Sequence, residues 1–339
     1  MLFILPSLAF ALAPVGEIVL APNAQLDTWE WCPARGLVAV KFQDQRPAAV
    51  YQLDLATRSA TLLGSLDARS HEFAFSPDCS WLVTGQLVNG VNDATLWRLD
   101  GAPKNVAPRK VAGFGKTELP SGAMVVSSDG RSLLVGDNGG DVVMYAMGTP
   151  PVRRGAVAGT SMVMTVAFSP GGVLAGYYDG SVRSFVVGPD GALGAGVALF
   201  DADPASRKEG SLDLGTGRTV LPGGSRVWAL LPHAGGALVL SERRWIVLID
   251  GTSVPRVLAS GLVEATKMAR SPNGTRLAVV GGPGVVWSLG RDELTNRIPL
   301  DGLDTVGGYI AASDLAFVDE QTLLVGAYNS AALRVYTLP

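Results

Sequence analysis

Two histidines, two cysteines and a few acidic residues set beside glycines are the positions in this 339-residue chain whose side chains could do chemistry. A histidine metal site, or an acid–base pair, needs partners at short fixed spacing. His71 follows Ser70 and His233 follows Pro232, outside any His-Glu-x-x-His run or Gly-x-Ser-x-Gly elbow. Both read as loop or turn residues, so no catalytic residue, metal ligand or cofactor is expected. Asp137, Asp141, Asp179 and Glu242 recur at similar places. Aspartate beside glycine is the ordinary makeup of a hairpin turn, and that reading is preferred to a shared cation or sugar site. Gly139-Gly140 and Gly281-Gly282-Pro283-Gly284 lead into strands. A phosphate loop needs a helix N-terminus to present its amides, so these too are tight turns.

The elements that would position such residues are written as a repeat. Phe73-Ala74-Phe75-Ser76-Pro77-Asp78, Val166-Ala167-Phe168-Ser169-Pro170-Gly171-Gly172 and Met268-Ala269-Arg270-Ser271-Pro272-Asn273-Gly274 are its clearest copies. The Pro77 position recurs at Pro33, Ser128, Pro170, Pro232, Pro272 and Asp319, with gaps of 44, 51, 42, 62, 40 and 47 residues. That period is the length of a four-stranded propeller blade. Within a copy, alternating apolar and β-branched residues mark strands: Glu72 to Phe75, Trp81 to Gly85 and Ala94 to Leu99 in the second. Helix has almost no claim on the chain. Glu17-Ile18-Val19-Leu20 precedes the first copy and Arg334-Val335-Tyr336-Thr337 ends the last. The expected fold is an all-β, seven-bladed β-propeller of four-stranded antiparallel blades, with the N-terminal strand closing the last blade.

On these residues the chain resembles the WD40-repeat family of seven-bladed propellers. The resemblance covers residues 15 to 339. It rests on the Ser-Pro-Asp/Asn/Gly turns, the Tyr178-Asp179-Gly180 turn, and third-strand aromatics such as Trp97, Tyr145, Trp287 and Tyr336. The Trp-Asp and Gly-His pairs of that family are absent. The looser propellers of lactonase or quinoprotein type are similar as well, so the resemblance implies fold more than role.

An apolar fraction of 47% with 42 glycines suits one domain of sheets buried on both faces. The net charge of −3 leaves no basic stripe for nucleic acid. Residues 1–13 carry no charged side chain, are too short to span a membrane, and offer Ala9-Phe10-Ala11 or Ala11-Leu12-Ala13 as a cleavage site. They read as a signal peptide ahead of a single domain, 14–339, in a periplasmic or secreted protein. A hydrophobic tail packed on the ring of a cytoplasmic protein is the alternative. Cys32 and Cys79 fall at first-strand ends of adjacent blades, on one rim. A bridge needs Cα atoms within about 7 Å, and two free, partly buried thiols are the preferred reading.

Recognition residues are sought on rim loops. Phe42, Gln43 and Arg46, Tyr177, Tyr178 and Asp179, Arg243 and Arg244, and Tyr328 supply the aromatic and arginine makeup of contact hot spots. Tyr177 reads equally as sheet core. The polar insert from Asp201 to Gly224 is a further candidate. Arg270 stands where the other copies place Trp31, Phe75, Val126, Phe168, Leu230 and Phe317. A buried guanidinium without a partner is costly, so it must pair, reach solvent or serve a ligand. The expectation is a monomeric, non-catalytic scaffold for a protein partner. A propeller hydrolase, lyase or small-ligand binder is the alternative, and it should gather carboxylates, Asn or Arg at the channel mouth.

Overall fold

The computed structural model describes residues 11–67, 70–88, 91–100, 107–113, 123–159, 161–200, 226–242, 244–250, 255–262, 265–281, 284–303, 312–327 and 330–339. These residues form seven four-stranded antiparallel sheets and no helix. Blade one runs outward as Leu26–Cys32, Leu37–Phe42, Ala49–Asp54 and Ser59–Ser65, and the next five blades repeat the order. Inner strands of consecutive blades touch all the way round, blade seven's against blade one's.

Blade seven is the composite expected. Its inner strands are Ala312–Phe317, Thr322–Ala327 and Ala332–Thr337, and its outer strand is Gly16–Val19. The register sets Gly16 opposite Val335 and Val19 opposite Ala332, while Ile18 buries its side chain completely. Arg334 adds an ion pair to Glu17 at 3.1 Å. Residues 1–10 of the segment read as a leader lie outside the described residues. Leu12 pairs with the end of blade six, donating to Pro299 O at 2.7 Å and accepting from Asp301 N at 2.9 Å.

There is no single core. Seven buried apolar clusters each straddle two neighbouring blades, such as Ile18, Trp29, Val38 and Leu333 between blades seven and one. Each blade lends one face to each neighbour, so no blade is stable without its neighbours.

The repeated turn also has a mechanical reason. Ser76 Oγ accepts from Trp81 N at 2.9 Å and donates to Asp78 Oδ1 at 2.6 Å, and Asp78 Oδ1 accepts from Ser80 N at 3.0 Å. Ser127 with Asp129, and Ser271 with Asn273, repeat the device. The Ser127 hydroxyl and the Arg131 amide hold the Asp129 carboxyl below its ordinary range. Asn273 is thus an ordinary turn asparagine, accepting from Thr275 N and Oγ1. The next position is left-handed: Gly130 at φ 71° and Gly274 at φ 77°. In blade two that position is Cys79, at φ 56°, where a side chain carries a steric cost that glycine avoids.

Cys79 is there because it is bonded. Cys32 and Cys79 form a disulfide with Cα atoms 5.9 Å apart, which corrects the expectation of two free thiols. Inner strands of adjacent blades converge toward the ring axis, bringing their ends within bridging range.

Antiparallel strands put successive turns on opposite faces of the ring. One face carries the Ser-Pro turns and the disulfide; the other carries the turns between second and third strands, including Asp137 and Asp179.

Candidate functional site

The Asp-Gly face assembles a ladder of alternating rings and guanidinium groups between blades four and five. Tyr178 comes from the turn after Gly172–Tyr177, Arg226 and Trp228 from the start of Val227–His233, and Glu242 and Arg244 from the turn after Gly236–Ser241. The Arg226 guanidinium lies 4.3 Å from the Tyr178 ring centroid and 5.9 Å from that of Trp228. Arg244 covers Trp228 at 4.5 Å. Arg226 also donates to the Tyr178 hydroxyl and pairs with Glu242 at 3.6 Å. Stacking on aromatic faces fixes two long cationic side chains in place. Tyr178 remains 38% exposed, so the stack is presented rather than buried.

The other rim candidates separate. Tyr177 is fully buried between blades three and four and is core rather than rim; burial pushes its phenol up to about 12. Asp179 is buried in its turn, accepting from Ser181 N and Oγ. Asp137 accepts from Asp141 N at 2.7 Å, and burial raises its pKa. Both are turn-makers, as the Asp-Gly reading holds. Gln43 braces the blade-one turn by donating to Leu26 O at 2.9 Å, and Arg46 pairs with Asp44 at 2.7 Å over the Phe42 ring. That pair sits across the ring from the ladder. Arg270 lies on the opposite face, where it reaches solvent and donates to Pro232 O of blade five at 2.8 Å. His233 bonds Arg291 O through Nε2. Arg243, Tyr328 and the 201–224 insert lie outside the described residues.

A second gathering of charge lies in the channel. Glu30 and Thr28 of blade one, Glu72 of blade two, Thr165 of blade four, Lys267 of blade six and Asp314 of blade seven surround a cavity of about 130 Å³. Counting back five residues from the Pro77-like position gives Thr28, Glu72, Ala123, Thr165, Val227, Lys267 and Asp314. The same comparison of copies that exposes Arg270 therefore marks the channel wall, a signal the sequence reading passed over. Lys267 bonds Asp314 at 3.3 Å, and that carboxylate is the main reason its pKa is raised. Glu30 lines this cavity and is itself solvent-exposed, with the neighbouring blades crowded around it. Burial, then the charges of Asp314 and Glu72, push its carboxyl up to about 8 against the pull of Lys267. Among the described residues no group of three or more His, Cys, Asp or Glu is placed to hold a metal ion.

The Glu30 shift has a signed consequence. A carboxyl whose folded pKa lies above its unfolded value binds more protons when folded, so stability falls as pH rises from about 4.5 to about 8. Glu30→Gln should remove that loss. Its melting temperature should gain on the parent by about 1–3 °C between pH 5 and pH 9, a modest effect because channel solvent screens the charge. Melting curves at pH 5, 7 and 9 decide it; a parent–variant difference that stays constant refutes the assignment.

No protein-family model matches the chain and no curated protein matches it in sequence, so the propeller architecture itself is the extent of the likeness.

Proposed function

We propose that the protein is a non-catalytic, WD40-like interaction module, exported from the cell's reducing interior, whose rim docks a protein partner. The single observation that carries this reading is the Tyr178–Arg226–Trp228–Arg244 ladder. Tyrosine, tryptophan and arginine dominate the energetics of protein contacts, and pre-stacked side chains lose little further entropy on docking. The channel supports the alternative less well. Its carboxylates converge, as an enzyme's would, but about 130 Å³ is small beside ordinary ligand sites of roughly 300–1,000 Å³. The disulfide supports export, because such bonds persist in oxidising compartments. Cleavage after Ala11 keeps both backbone bonds of Leu12, whereas cleavage after Ala13 forfeits them.

The test is affinity capture from the native host with the parent and with a Tyr178→Ala/Arg226→Ala variant, reading the mature N-terminus from the same sample. A stoichiometric protein partner whose recovery drops at least about tenfold in the variant is expected, with the chain beginning at Leu12. Capture unaffected by the variant, but lost on Glu30→Gln, would transfer the function to the channel. A chain still beginning at Met1 would refute export by cleavage.

A further inference from the structure

The outermost strand of each blade has one edge without a partner strand among the described residues, and such edges pair with other chains unless something blocks them. Most are blocked here. Ala107–Gly113 carries Pro108, Arg109 and Lys110, Val152–Val157 carries Arg153 and Arg154, and Leu294–Pro299 carries Arg297 and its own proline. Arg256–Ala259 and Gly16–Val19 are only four residues long, and each bears a charge. Ser59–Ser65 is uncharged, but the edge strands of both neighbouring blades hem it in, and Pro108 lies 2.6 Å from where a Cβ on Gly64 would stand.

Leu193–Phe200, the edge of blade four, is the exception. At eight residues it is the longest of the seven, and Leu-Gly-Ala-Gly-Val-Ala-Leu-Phe contains neither a charge nor a proline. Its flank is open as well. Val182 is buried in the cluster shared with blade five, so strand alternation turns Ser184 and Val186 the same way. Val197 stands opposite Ser184 in the register and shares that face. Val186 is 62% and Val197 63% exposed, more than any other large apolar side chain among the described residues. Exposed Val257 of blade five lies on the face turned toward them, because its register partner Val247 belongs to the shared cluster.

The occupant that suits such an edge is its own copy. A two-fold axis perpendicular to the sheet sets the strand antiparallel against its image and joins two blades into one eight-stranded sheet. The edge lies on the perimeter of the ring, so the second ring extends away from the first. Self-pairing brings like side chains together across the axis, and there Arg109-Lys110 or Arg153-Arg154 would meet its own charges. Leu193–Phe200 meets none. The same symmetry sets the exposed valines of both copies side by side on one face, whereas a charged partner segment would find no opposite charge on this edge. We propose that the protein forms a two-fold dimer through antiparallel pairing of Leu193–Phe200 with the same strand of a second copy. One strand pair is a small interface, so the dimer should dissociate on dilution through the micromolar range.

The experiment is sedimentation equilibrium of the full chain over a concentration series. The parent should follow a monomer–dimer equilibrium. Val197→Lys, at an exposed position, should weaken it at least about tenfold with an unchanged melting temperature, since each dimer carries the substitution twice. Val152→Lys, exposed on the edge strand of blade three, should leave it unchanged, as should Tyr178→Ala/Arg226→Ala in the ladder. Hydrogen exchange of the parent needs no variant: alternate amides within Leu193–Phe200 should exchange more slowly as concentration rises. The proposal is overturned by a parent that stays monomeric, by species that grow beyond the dimer, or by equal dimerisation of the two lysine variants. A dimer whose Leu193–Phe200 amides ignore concentration overturns it too.

Discussion

Deletion of residues 1–20 is expected to remove most of the folding stability of this protein, while deletion of residues 1–11 leaves it close to that of the parent. The longer deletion takes away the outer strand of blade seven. Ile18 and Leu20 leave the buried cluster between blades seven and one, and Ala332–Thr337 becomes an unpaired edge. Reburying two such side chains is worth on the order of 3–6 kcal/mol, before the lost ladder is counted. Domains of this kind hold only about 5–15 kcal/mol in all. The shorter deletion keeps Leu12 and its two backbone bonds. Urea unfolding of the two truncated chains checks this, with Ile18→Ala as a milder variant expected to cost about 2–5 kcal/mol. Equal midpoints for the two deletions would mean that the ring does not depend on the N-terminal strand. Exposure of the Ala332–Thr337 edge should also make the longer deletion prone to aggregate.

Loss of the Cys32–Cys79 bond should be the second largest effect. The bond closes a loop with a sequence separation of 47 and ties the inner ends of blades one and two. On the loop-entropy account a loop of that length contributes about 4 kcal/mol, within the usual 2–5 kcal/mol cost of removing a native bridge. Two variants separate the bond from the strain it imposes. Cys32→Ala/Cys79→Ala loses the bond and leaves a side chain at φ 56°. Cys32→Ala/Cys79→Gly loses the bond but restores the residue that the sister turns use at Gly130 and Gly274, and should be more stable by about 1 kcal/mol. Reductant should move the parent's urea midpoint to nearly that of the alanine variant. A parent whose midpoint ignores reductant would show that the bond does not form.

Both predictions bear on how the two halves of the ring are held. The chain ends meet in blade seven through hydrogen bonds and an ion pair, and the next junction but one is covalent. The junctions from blade two round to blade six rely on interblade burial, such as that of Ala74, Leu96, Leu133 and Tyr145 between blades two and three. Opening of the ring, when it occurs, should begin between blades six and seven or within the outer strand of blade seven. Hydrogen exchange of the Val19 and Leu333 amides would report that opening.

The arginine ladder was half legible in the residues. Tyr178 and Arg244 could be named because aromatics and arginine in turns are an unusual composition, but their partners Arg226 and Trp228 sit at the start of an inner strand, where apolar alternation hides them. Tyr177, one residue from Tyr178, belongs to the core because strand alternation sends the two side chains to different surroundings. Composition alone cannot separate such neighbours; the register does.

Strand number, blade count and ring closure were determined by the sequence alone, because a 40–50-residue repeat of strands and Ser-Pro-Asp turns admits few other folds. Local turn chemistry is equally local in cause: Ser127 and Asp129 act on amides within five residues. The disulfide, the channel charges and the arginine ladder were decided only by the tertiary structure. Each joins residues from different blades or from strands whose separation in space depends on the angle between blades. That angle is set by how seven apolar faces pack at once, a collective property no single repeat encodes. Even so, Cys79 in a glycine's place and the charged Glu72, Lys267 and Asp314 where other copies have Thr, Ala or Val were visible as departures from the repeat, and the departures are where the structure places its bond and its charges.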